Sequence, residues 1–371
     1  MHNKKILFII NVDWFFVSHR LPIALAALKK GFEVHVACAI TDKKSLLEAE
    51  GLIVHELLLS RSGTAILNEL ISIRDIYRIV KCVKPSVIHS VTIKPVIYGN
   101  IMGRILGTPI RVSSISGLGY VFIAKGLKAK LFRLFVSTMY RVALRQSKAV
   151  IFQNTADRDV LRRMKAVTPN QEVLIRGSGV ALEKYIVLEE PEGNPVVMFI
   201  ARLLIDKGVE EFVEASEAVK LIRPNVRMVL VGDIDLGNPK SIKPDQLAAW
   251  VASGNVEYWG YSNKISETIS KSHLVVLPSY REGLPKVLLE AAASGRAVIT
   301  TDVPGCRDAI IPNCTGLLVP VREITPLVNA ILKLLNDDVL RRGFGLQGRM
   351  LAENEFDIED VISTHLSIYG V

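Results

Sequence analysis

Residues 273–302 read HLVVLPSYREGLPKVLLEAAASGRAVITTD, and this stretch decides the fold. It contains two apolar runs, HLVVLPS over His273–Ser279 and AVITTD over Ala297–Asp302, each of a length typical of a buried strand. A helix is expected between them over Pro285–Ser294, because proline is well suited to a helix start. Two buried strands separated by a helix predict a βαβ unit of a parallel sheet.

The same alternation of apolar runs and helical segments extends in both directions along the chain. In the second half it begins at NPVVMFIARL, Asn194–Leu203, and continues at VRMVLVGD, Val226–Asp233. In the first half it begins at KKILFII, Lys4–Ile10, which is followed by an expected loop over 11–19 and a helix that ends at Gly31. Repeated units of this kind predict an α/β fold with a doubly wound parallel sheet in each half.

The length of the chain sets the number of domains. With 371 residues, of which 49% are hydrophobic, two domains can each bury a core. We expect a first domain over 1–185, a second over 186–350 and a final segment over 351–371. The linker is expected near Glu183–Pro195, which is acidic and contains two prolines. Two such domains normally bind a ligand between them, at the carboxyl ends of their strands.

Composition argues against several classes of protein. Charged residues make up 22% of the chain, and no stretch approaches the roughly 20 uncharged apolar residues that a membrane-spanning helix needs. The first residues, MHNKKILFII, show no secretory cleavage pattern, so a cytoplasmic location is expected. The four cysteines share no C-x-x-C spacing, so neither a zinc site nor a disulfide framework is expected.

The charge of the chain is strongly uneven. Residues 1–185 contain 28 Lys and Arg against 12 Asp and Glu, whereas residues 186–371 contain 18 against 25. Between Asp75 and Asp157 lie 13 basic residues and no carboxylate. Such a surface attracts polyanions, and a membrane surface is favoured over nucleic acid because no nucleic-acid-binding motif is recognisable.

One segment of this interval has the composition of a membrane-surface helix. Gly117–Lys148 interleaves basic and apolar residues, as helices in a membrane interface do. The alternative is a packed helix pair whose phenylalanines are core and whose lysines are solvated. The side chains expected at the membrane surface are Lys125, Lys128, Lys130, Phe132 and Arg133, with Phe122, Leu127 and Phe135 as further apolar contacts.

Two glutamates eight positions apart flank the helix start in the opening stretch. Glu282 lies in the loop after a strand, and Glu290 lies inside the first two turns of the helix that Pro285 begins. The amides of a helix N-terminus suit a diphosphate, and a nearby carboxylate suits the vicinal hydroxyls of a sugar. Together these features favour a nucleotide-sugar site, while the alternative is a pair of solvated glutamates on a helix.

A second set of charges lies in ARLLIDKG, the loop between the first strand and first helix of the second domain. Arg202 and Lys207 are expected on the ligand side of this loop, where a guanidinium and an ammonium can bind phosphate oxygens. The alternative is a local charge pair between Asp206 and Lys207 at the helix start.

Five segments resemble, in this order, the second half of GT4-type retaining GT-B glycosyltransferases. They are ARLLIDKG, VLVGD, NVEYWGY, the stretch from His273 to Asp308, and TGLLVP. The resemblance implies a GT-B fold with two Rossmann-like domains and a final helix that crosses back to the first. It implies that Arg202 and Lys207 bind the donor diphosphate, while Glu290 binds the ribose and Glu282 the donor sugar. The resemblance also implies that the backbone of Gly283, Leu284, Pro285 and Lys286 surrounds the phosphates. It implies that Tyr258 and Trp259 lie at the base, which is uracil in most relatives.

The first half resembles the family less closely. Through IHSVTIKPVIYGNI and ISGLGYVF it resembles the bacterial subgroup that extends undecaprenyl-diphosphate-linked sugars for capsule, O-antigen or protein glycosylation. The family's usual glycine-rich loop after the first strand and its usual histidine after a central strand are both missing. The acceptor-side candidates are Ser18, His19, Ser116, Gly117, Gly119, His89 and Lys94. For His89 the alternative is a hydrogen-bonded structural role.

The implied reaction moves a hexose or N-acetylhexosamine from a UDP-sugar to a lipid-linked sugar, with retention of configuration, on the inner face of the cytoplasmic membrane. No cofactor or metal ion is expected, because cationic side chains and a helix N-terminus stabilise the leaving diphosphate. The letters DID at Asp233–Asp235 are expected in a loop and not as a metal motif. Three alternatives stay open: a glycosyltransferase with a soluble acceptor, a GT-B UDP-sugar epimerase and a non-catalytic nucleotide-sugar-binding protein.

Overall fold

The computed structural model describes residues 4–59, 66–118 and 126–371 and, within these, all side chains except those of residue 66 and residues 127–132. The chain forms two compact units. One comprises Met1–Ser178 with Glu359–Val371, and the other comprises Gly179–Ile358. Each unit contains a parallel β-sheet, so the expected pair of Rossmann-like α/β domains is confirmed.

Within the described ranges, the first part of the first unit, up to Ser178, has a seven-stranded sheet and seven helices. The strands are β1 (Lys5–Val12), β2 (Glu33–Ala39), β3 (Ile53–Glu56), β4 (Val87–Val91), β5 (Ile110–Ile115), β6 (Ala149–Phe152) and β7 (Glu172–Leu174). The helices are α1 (Asp13–His19), α2 (Leu21–Lys29), α3 (Lys44–Ala49), α4 (Ile66–Val83), α5 (Ile93–Ile105), α6 (Leu127–Leu144) and α7 (Thr155–Arg163). The strand order in the sheet is β3-β2-β1-β4-β5-β6-β7.

The second unit has a sheet with the order β10-β9-β8-β11-β12-β13. Its strands are β8 (Val196–Ile200), β9 (Arg227–Val231), β10 (Glu257–Tyr258), β11 (Leu274–Leu277), β12 (Ala297–Thr301) and β13 (Gly316–Val319). Its helices are α8 (Val209–Ile222), α9 (Pro244–Ala252), α10 (Ile265–Ser270), α11 (Lys286–Ala293), α12 (Ile324–Asn336) and α13 (Asp338–Glu355). The last helix is α14 (Ile358–Tyr369), which groups with the first unit from Glu359 onward.

The central strands of the second sheet have apolar residues at consecutive positions because both of their faces are buried. Every residue of β8, β11 and β12 is buried, so neither face of these strands meets water. A parallel sheet covered on both faces requires side chains of this kind on both sides. The same strands form the centre of the hydrophobic core of this unit, and they fix the positions of the loops that follow them.

The expected loop over 11–19 is wrong. Strand β1 continues to Val12, and α1 follows at once. The cause is Asp13, which is fully buried. Its carboxylate accepts hydrogen bonds from the backbone amides of Thr41 at 2.8 Å and Lys43 at 2.9 Å. These contacts tie the start of α1 to the loop after β2, and no local pattern in the sequence could indicate them.

The segment expected to be the linker is anchored on the second unit. The Glu190 carboxylate accepts hydrogen bonds from Arg341 Nε at 2.8 Å and Nη2 at 2.7 Å. The Leu188 carbonyl accepts a hydrogen bond from Arg296 Nη1 at 2.8 Å. The division between the units falls instead after Ser178 and again after Ile358.

Candidate active site

The second sheet reverses its strand order between β8 and β11. Open parallel sheets bind ligands at such a point, beyond the carboxyl ends of the strands. The loop after β8 contains Arg202 and Lys207, and the loop after β11 contains Glu282. Three of the expected site residues therefore surround the position at which this fold binds ligands.

Two glycines bring the loops at this edge into close contact. Gly208, with φ of 76°, begins α8, and a Cβ atom there would lie 2.2 Å from the Pro278 carbonyl oxygen. Gly305, with φ of 85°, follows β12, and a Cβ atom there would lie 2.5 Å from the Glu282 carbonyl oxygen. Both positions require glycine because of the positive φ and the approach of neighbouring backbone. The loops after β8, β11 and β12 are therefore packed directly on one another.

This packing brings Lys207 to Glu282. The Lys207 ammonium forms an ion pair with the Glu282 carboxylate, and Ser279 Oγ donates a hydrogen bond to the same carboxylate at 2.8 Å. The Asp206 backbone carbonyl accepts hydrogen bonds from Ser279 Oγ at 3.0 Å and from the Tyr280 amide at 2.9 Å. Since Lys207 pairs with Glu282, the alternative of a local Asp206–Lys207 pair is wrong.

Arg202 is held by a different loop. Its guanidinium forms an ion pair with the Asp235 carboxylate, which lies in the loop after β9. The Arg202 side chain is 38% exposed and the Asp235 side chain is 14% exposed. The Asp233–Asp235 segment lies in a loop, as expected, but the contact of Asp235 with Arg202 was not predicted.

Glu290 is buried in α11 and has two polar neighbours. Its carboxylate accepts a hydrogen bond from the Tyr185 hydroxyl at 2.8 Å and lies 3.6 Å from the Lys286 ammonium. Burial raises the pKa of Glu290 above its usual value, against the opposing effects of Lys286 and Tyr185. Glu290 is therefore a buried hydrogen-bond acceptor, and its contact with ribose hydroxyls stays a prediction.

The backbone around the start of α11 has the expected form. The helix begins at Lys286 directly after Pro285, and no side chain caps its first turn. Leu284 belongs to the hydrophobic core, so only its backbone can face a ligand. The Gly283 carbonyl oxygen packs against Gly305, where a Cβ atom would lie 2.7 Å from it. This arrangement presents the helix N-terminus, with its positive partial charge, close to Glu282.

The two aromatic residues expected at the base lie at the end of β10, where Tyr258 is the last residue of the strand and Trp259 follows it. The Tyr258 hydroxyl donates to the Asp233 carboxylate at 3.4 Å. Trp259 Nε1 donates to Glu257 at 3.1 Å, and the Arg227 guanidinium lies 5.6 Å from the centre of the indole. The Tyr258 hydroxyl thus contacts the loop after β9, whereas the Trp259 indole contacts the first residues of β9 and β10. Contact of either ring with a base stays a prediction.

Three partners of the site were missed from the sequence: Asp235, Tyr185 and Ser279. Asp235 is the second aspartate of the Asp233–Asp235 segment, and nothing in that segment indicates that it pairs with Arg202. Tyr185 lies in the segment interpreted as a linker. Ser279 was part of the quoted stretch but was given no role. Their importance comes from contacts between loops that are far apart in the sequence.

In the first unit, Ser18 and His19 lie at the end of α1 and are half-buried. The His19 ring stacks on Phe15, with 4.1 Å between ring centres. The Arg20 guanidinium donates to the His19 carbonyl at 2.9 Å and to Ser178 Oγ at 3.3 Å. Arg20 thus fixes the His19 backbone from inside the unit, because Arg20 itself is buried.

The expected ligand-facing position of His89 is wrong. His89 is fully buried, and its two ring nitrogens make hydrogen bonds with the Tyr369 hydroxyl at 2.6 Å and Ser114 Oγ at 2.7 Å. Burial lowers the pKa of His89 well below its usual value, with smaller contributions from His365 and Arg20. The C-terminal helix α14 covers this histidine, which supports the structural role that was left open.

The other acceptor-side candidates occupy different surroundings. Lys94 forms an ion pair with Glu69 at 2.6 Å. Ser116 and Gly117 follow β5 and are half-buried, whereas Gly119 lies outside the described residues. Within the described part of the chain, Ser116 Oγ is buried without a hydrogen-bond partner.

Helix α6 carries the described part of the segment expected at a membrane. Val136, Tyr140 and Leu144 are buried in a core cluster, whereas Leu134 and Phe135 are each 60% exposed. Lys125 and Phe122 lie outside the described residues, as do the side chains of Leu127, Lys128, Lys130 and Phe132, and Arg133 is half-buried. In the ranges that the structure covers, no helix combines the length and apolar character needed to cross a membrane.

Each half of the chain matches a known protein family. Residues 183–350 match the family described as "Glycosyl transferases group 1", and residues 5–154 match the family described as "Glycosyl transferase 4-like". Together the two matches account for most of the chain.

Two curated relatives and one solved structure illustrate the similarity. The chain is 28% identical, over 94% of each sequence, to N,N'-diacetylbacillosaminyl-diphospho-undecaprenol alpha-1,3-N-acetylgalactosaminyltransferase of Campylobacter jejuni. It is 24% identical to UDP-Gal:alpha-D-GlcNAc-diphosphoundecaprenol alpha-1,3-galactosyltransferase of Escherichia coli, over 74% of this chain and 73% of that one. Its fold is similar to sucrose-phosphate synthase of Thermosynechococcus elongatus, with a TM-score of 0.80 at 20% identity, over 99% of this chain and 98% of that one.

Proposed function

Because the chain is a glycosyltransferase, with a glycosyl transferase 4-like domain and a glycosyl transferases group 1 domain in a GT-B fold, we propose that its substrates are a UDP-sugar and a sugar carried on undecaprenyl diphosphate. The group transferred is a hexose or an N-acetylhexosamine. The configuration at its anomeric carbon is retained.

The observation that carries this proposal is the arrangement around the strand reversal of the second sheet. Arg202 and Lys207 come from the loop after β8, Glu282 from the loop after β11, and Glu290 from the helix that follows. Two cations and a helix N-terminus suit a diphosphate, and two carboxylates suit the hydroxyls of ribose and sugar. A nucleoside diphosphate sugar fits this combination of charges.

The reaction follows from where charge develops. The bond between the anomeric carbon and the diphosphate oxygen breaks, and the acceptor oxygen forms its new bond on the same face of the sugar. The departing diphosphate takes the proton of the acceptor hydroxyl. Arg202, Lys207 and the start of α11 stabilise the negative charge that grows on the diphosphate, so we propose that no metal ion takes part.

The acceptor assignment is supported by the names of the relatives. Both curated relatives described above are named for acceptors in which a sugar is attached to undecaprenol through a diphosphate. A lipid-linked acceptor requires the enzyme to reach a membrane surface. The exposed Leu134 and Phe135 of α6, within a stretch of 13 basic residues and no carboxylate, supply apolar and cationic groups for that contact. We therefore place the enzyme on the inner face of the cytoplasmic membrane.

The nucleotide part of the proposal is tested by calorimetry with the purified protein. UDP and UDP-sugars are expected to bind, with GDP and GDP-sugars at least about tenfold weaker, because the base pocket distinguishes the pyrimidine from the larger purine. Equal affinity for UDP and GDP, or preference for GDP, would contradict the UDP assignment while leaving the glycosyltransferase itself unaffected.

A further inference from the structure

Each of the two cations assigned to the diphosphate is already paired with a carboxylate. Lys207 pairs with Glu282, and Arg202 pairs with Asp235. Glu282 has a role at the donor sugar, whereas Asp235 has none. The 14% exposure of its side chain sets it apart from an ordinary solvated aspartate.

The loop that carries Asp235 is held by its own backbone contacts. The Asp235 amide donates to Ser241 Oγ at 2.9 Å, and the Asp235 carbonyl accepts from the Asn238 amide at 2.8 Å. At the other side, the Leu203 amide donates to the Asp233 carbonyl at 2.9 Å. The carboxylate and the guanidinium therefore stand on two loops that are tied together, and their contact is built into the edge of the sheet.

A carboxylate at this position has two opposite effects on a diphosphate. It holds the Arg202 guanidinium in place, which lowers the entropy that Arg202 loses when an anion binds. It also adds a negative charge next to the diphosphate and competes with it for the same guanidinium. The second effect is the larger one in this proposal, because a diphosphate carries more than one negative charge and each of them is repelled by the Asp235 carboxylate.

We propose that Asp235 is a positioning residue that acts through Arg202 and limits the affinity for the diphosphate, so that the nucleoside diphosphate product leaves after transfer. Asp235 takes up the guanidinium as the product departs. This inference rests on the proposed function, since it assumes that Arg202 binds the diphosphate of the donor and of the product.

The test is calorimetry with UDP and with uridine on the parent protein and on Asp235→Asn. The substitution keeps the size of the side chain and removes its charge. UDP is expected to bind about fivefold more tightly to the variant, and uridine is expected to bind with unchanged affinity, because uridine has no phosphate. The inhibition constant of UDP in steady-state turnover is expected to fall by the same factor.

A matched control is Glu217→Gln, which removes one negative charge from an exposed position on α8. Its UDP affinity is expected to equal that of the parent. A purely structural role for Asp235 would weaken binding of UDP, so equal or weaker affinity in Asp235→Asn overturns the inference. A parent protein that fails to bind UDP overturns the UDP assignment and this inference together, whereas a parent that binds UDP without tightening in the variant overturns the inference alone.

Discussion

On the proposed function, Lys207 stabilises negative charge that is present mainly in the transition state, so its removal is expected to affect turnover more than binding. The change Lys207→Ala is expected to lower kcat by about a hundredfold or more, because one charge-assisted contact to the leaving group is lost. The measurement is steady-state transfer at saturating donor, with thermal unfolding as a check of folding. The exposed Lys271→Ala serves as the control. A folded Lys207→Ala protein with near-normal kcat would remove Lys207 from the reaction.

Glu290 gives a prediction that depends on pH. Burial raises the pKa of Glu290 above its usual value, so the carboxylate is protonated at a higher pH than an ordinary glutamate. On the proposed function, its hydrogen bonds to the ribose hydroxyls are expected to be strongest above that pKa and to weaken as the pH falls through it. The variant Glu290→Gln is expected to bind UDP more weakly than the parent at pH 7.5, because an amide oxygen is a weaker acceptor than a carboxylate.

The measurement is the ratio of the two dissociation constants between about pH 7.5 and pH 5, in which titration of the phosphate cancels. The ratio is expected to approach one as the pH falls. A ratio that is one throughout would show that Glu290 does not contact the nucleotide.

The places of four expected donor-side residues in the fold could be predicted from the sequence, but the partners of their side chains could not. Arg202, Lys207, Glu282 and Glu290 all lie at the carboxyl edge of one sheet or in the helix that starts there. Which carboxylate meets which cation depends on how loops after different strands pack. That packing is decided by contacts such as Gly208 against Pro278, which are invisible in any local pattern.

Among the elements, the apolar strands of the second unit were predicted best, because complete burial requires an uninterrupted apolar run. Helix α1 was missed because Asp13, which fixes it, bonds to residues beyond β2. His89 was misplaced because the residue that covers it, Tyr369, belongs to the last helix of the chain. Local periodicity fails where a distant residue decides the surroundings.

Helix α6 provides the test of membrane contact. The double change Leu134→Ser with Phe135→Ser removes two side chains that are each 60% exposed, so folding should be preserved. Co-sedimentation with anionic vesicles at low salt is expected to fall by about tenfold, because burial of two such side chains in the interface contributes more than 1 kcal/mol.

The matched control is Leu221→Ser with Ile222→Ser, which removes two exposed apolar side chains from the second unit. Its sedimentation should equal that of the parent, and high salt should release both proteins. Vesicle binding that is absent in the parent would favour a soluble acceptor, and binding that is equal in the α6 variant would remove Leu134 and Phe135 from the membrane contact.

At the scale of the whole molecule, the two halves of the chain differ in the sign of their net charge. Residues 1–185 carry the excess of basic residues and residues 186–371 the excess of acidic ones. The basic half suits an anionic lipid surface, and the second unit carries the candidate donor site. The division into two α/β units was predictable from the repeated strand and helix pattern. Its boundary was not, because Glu190 joins the expected linker to Arg341, which is 151 positions further along the chain.

The most direct test of the proposed function is transfer to a defined acceptor. Purified protein is incubated with a set of UDP-sugars and an N-acetylhexosamine linked through a diphosphate to a short polyprenol, and the product is analysed by mass spectrometry and by the anomeric proton coupling in NMR. The predicted result is addition of one sugar from a UDP donor, with the same anomeric configuration as in the donor. Inversion of that configuration, or transfer to the free sugar as efficient as to the lipid-linked one, would contradict it.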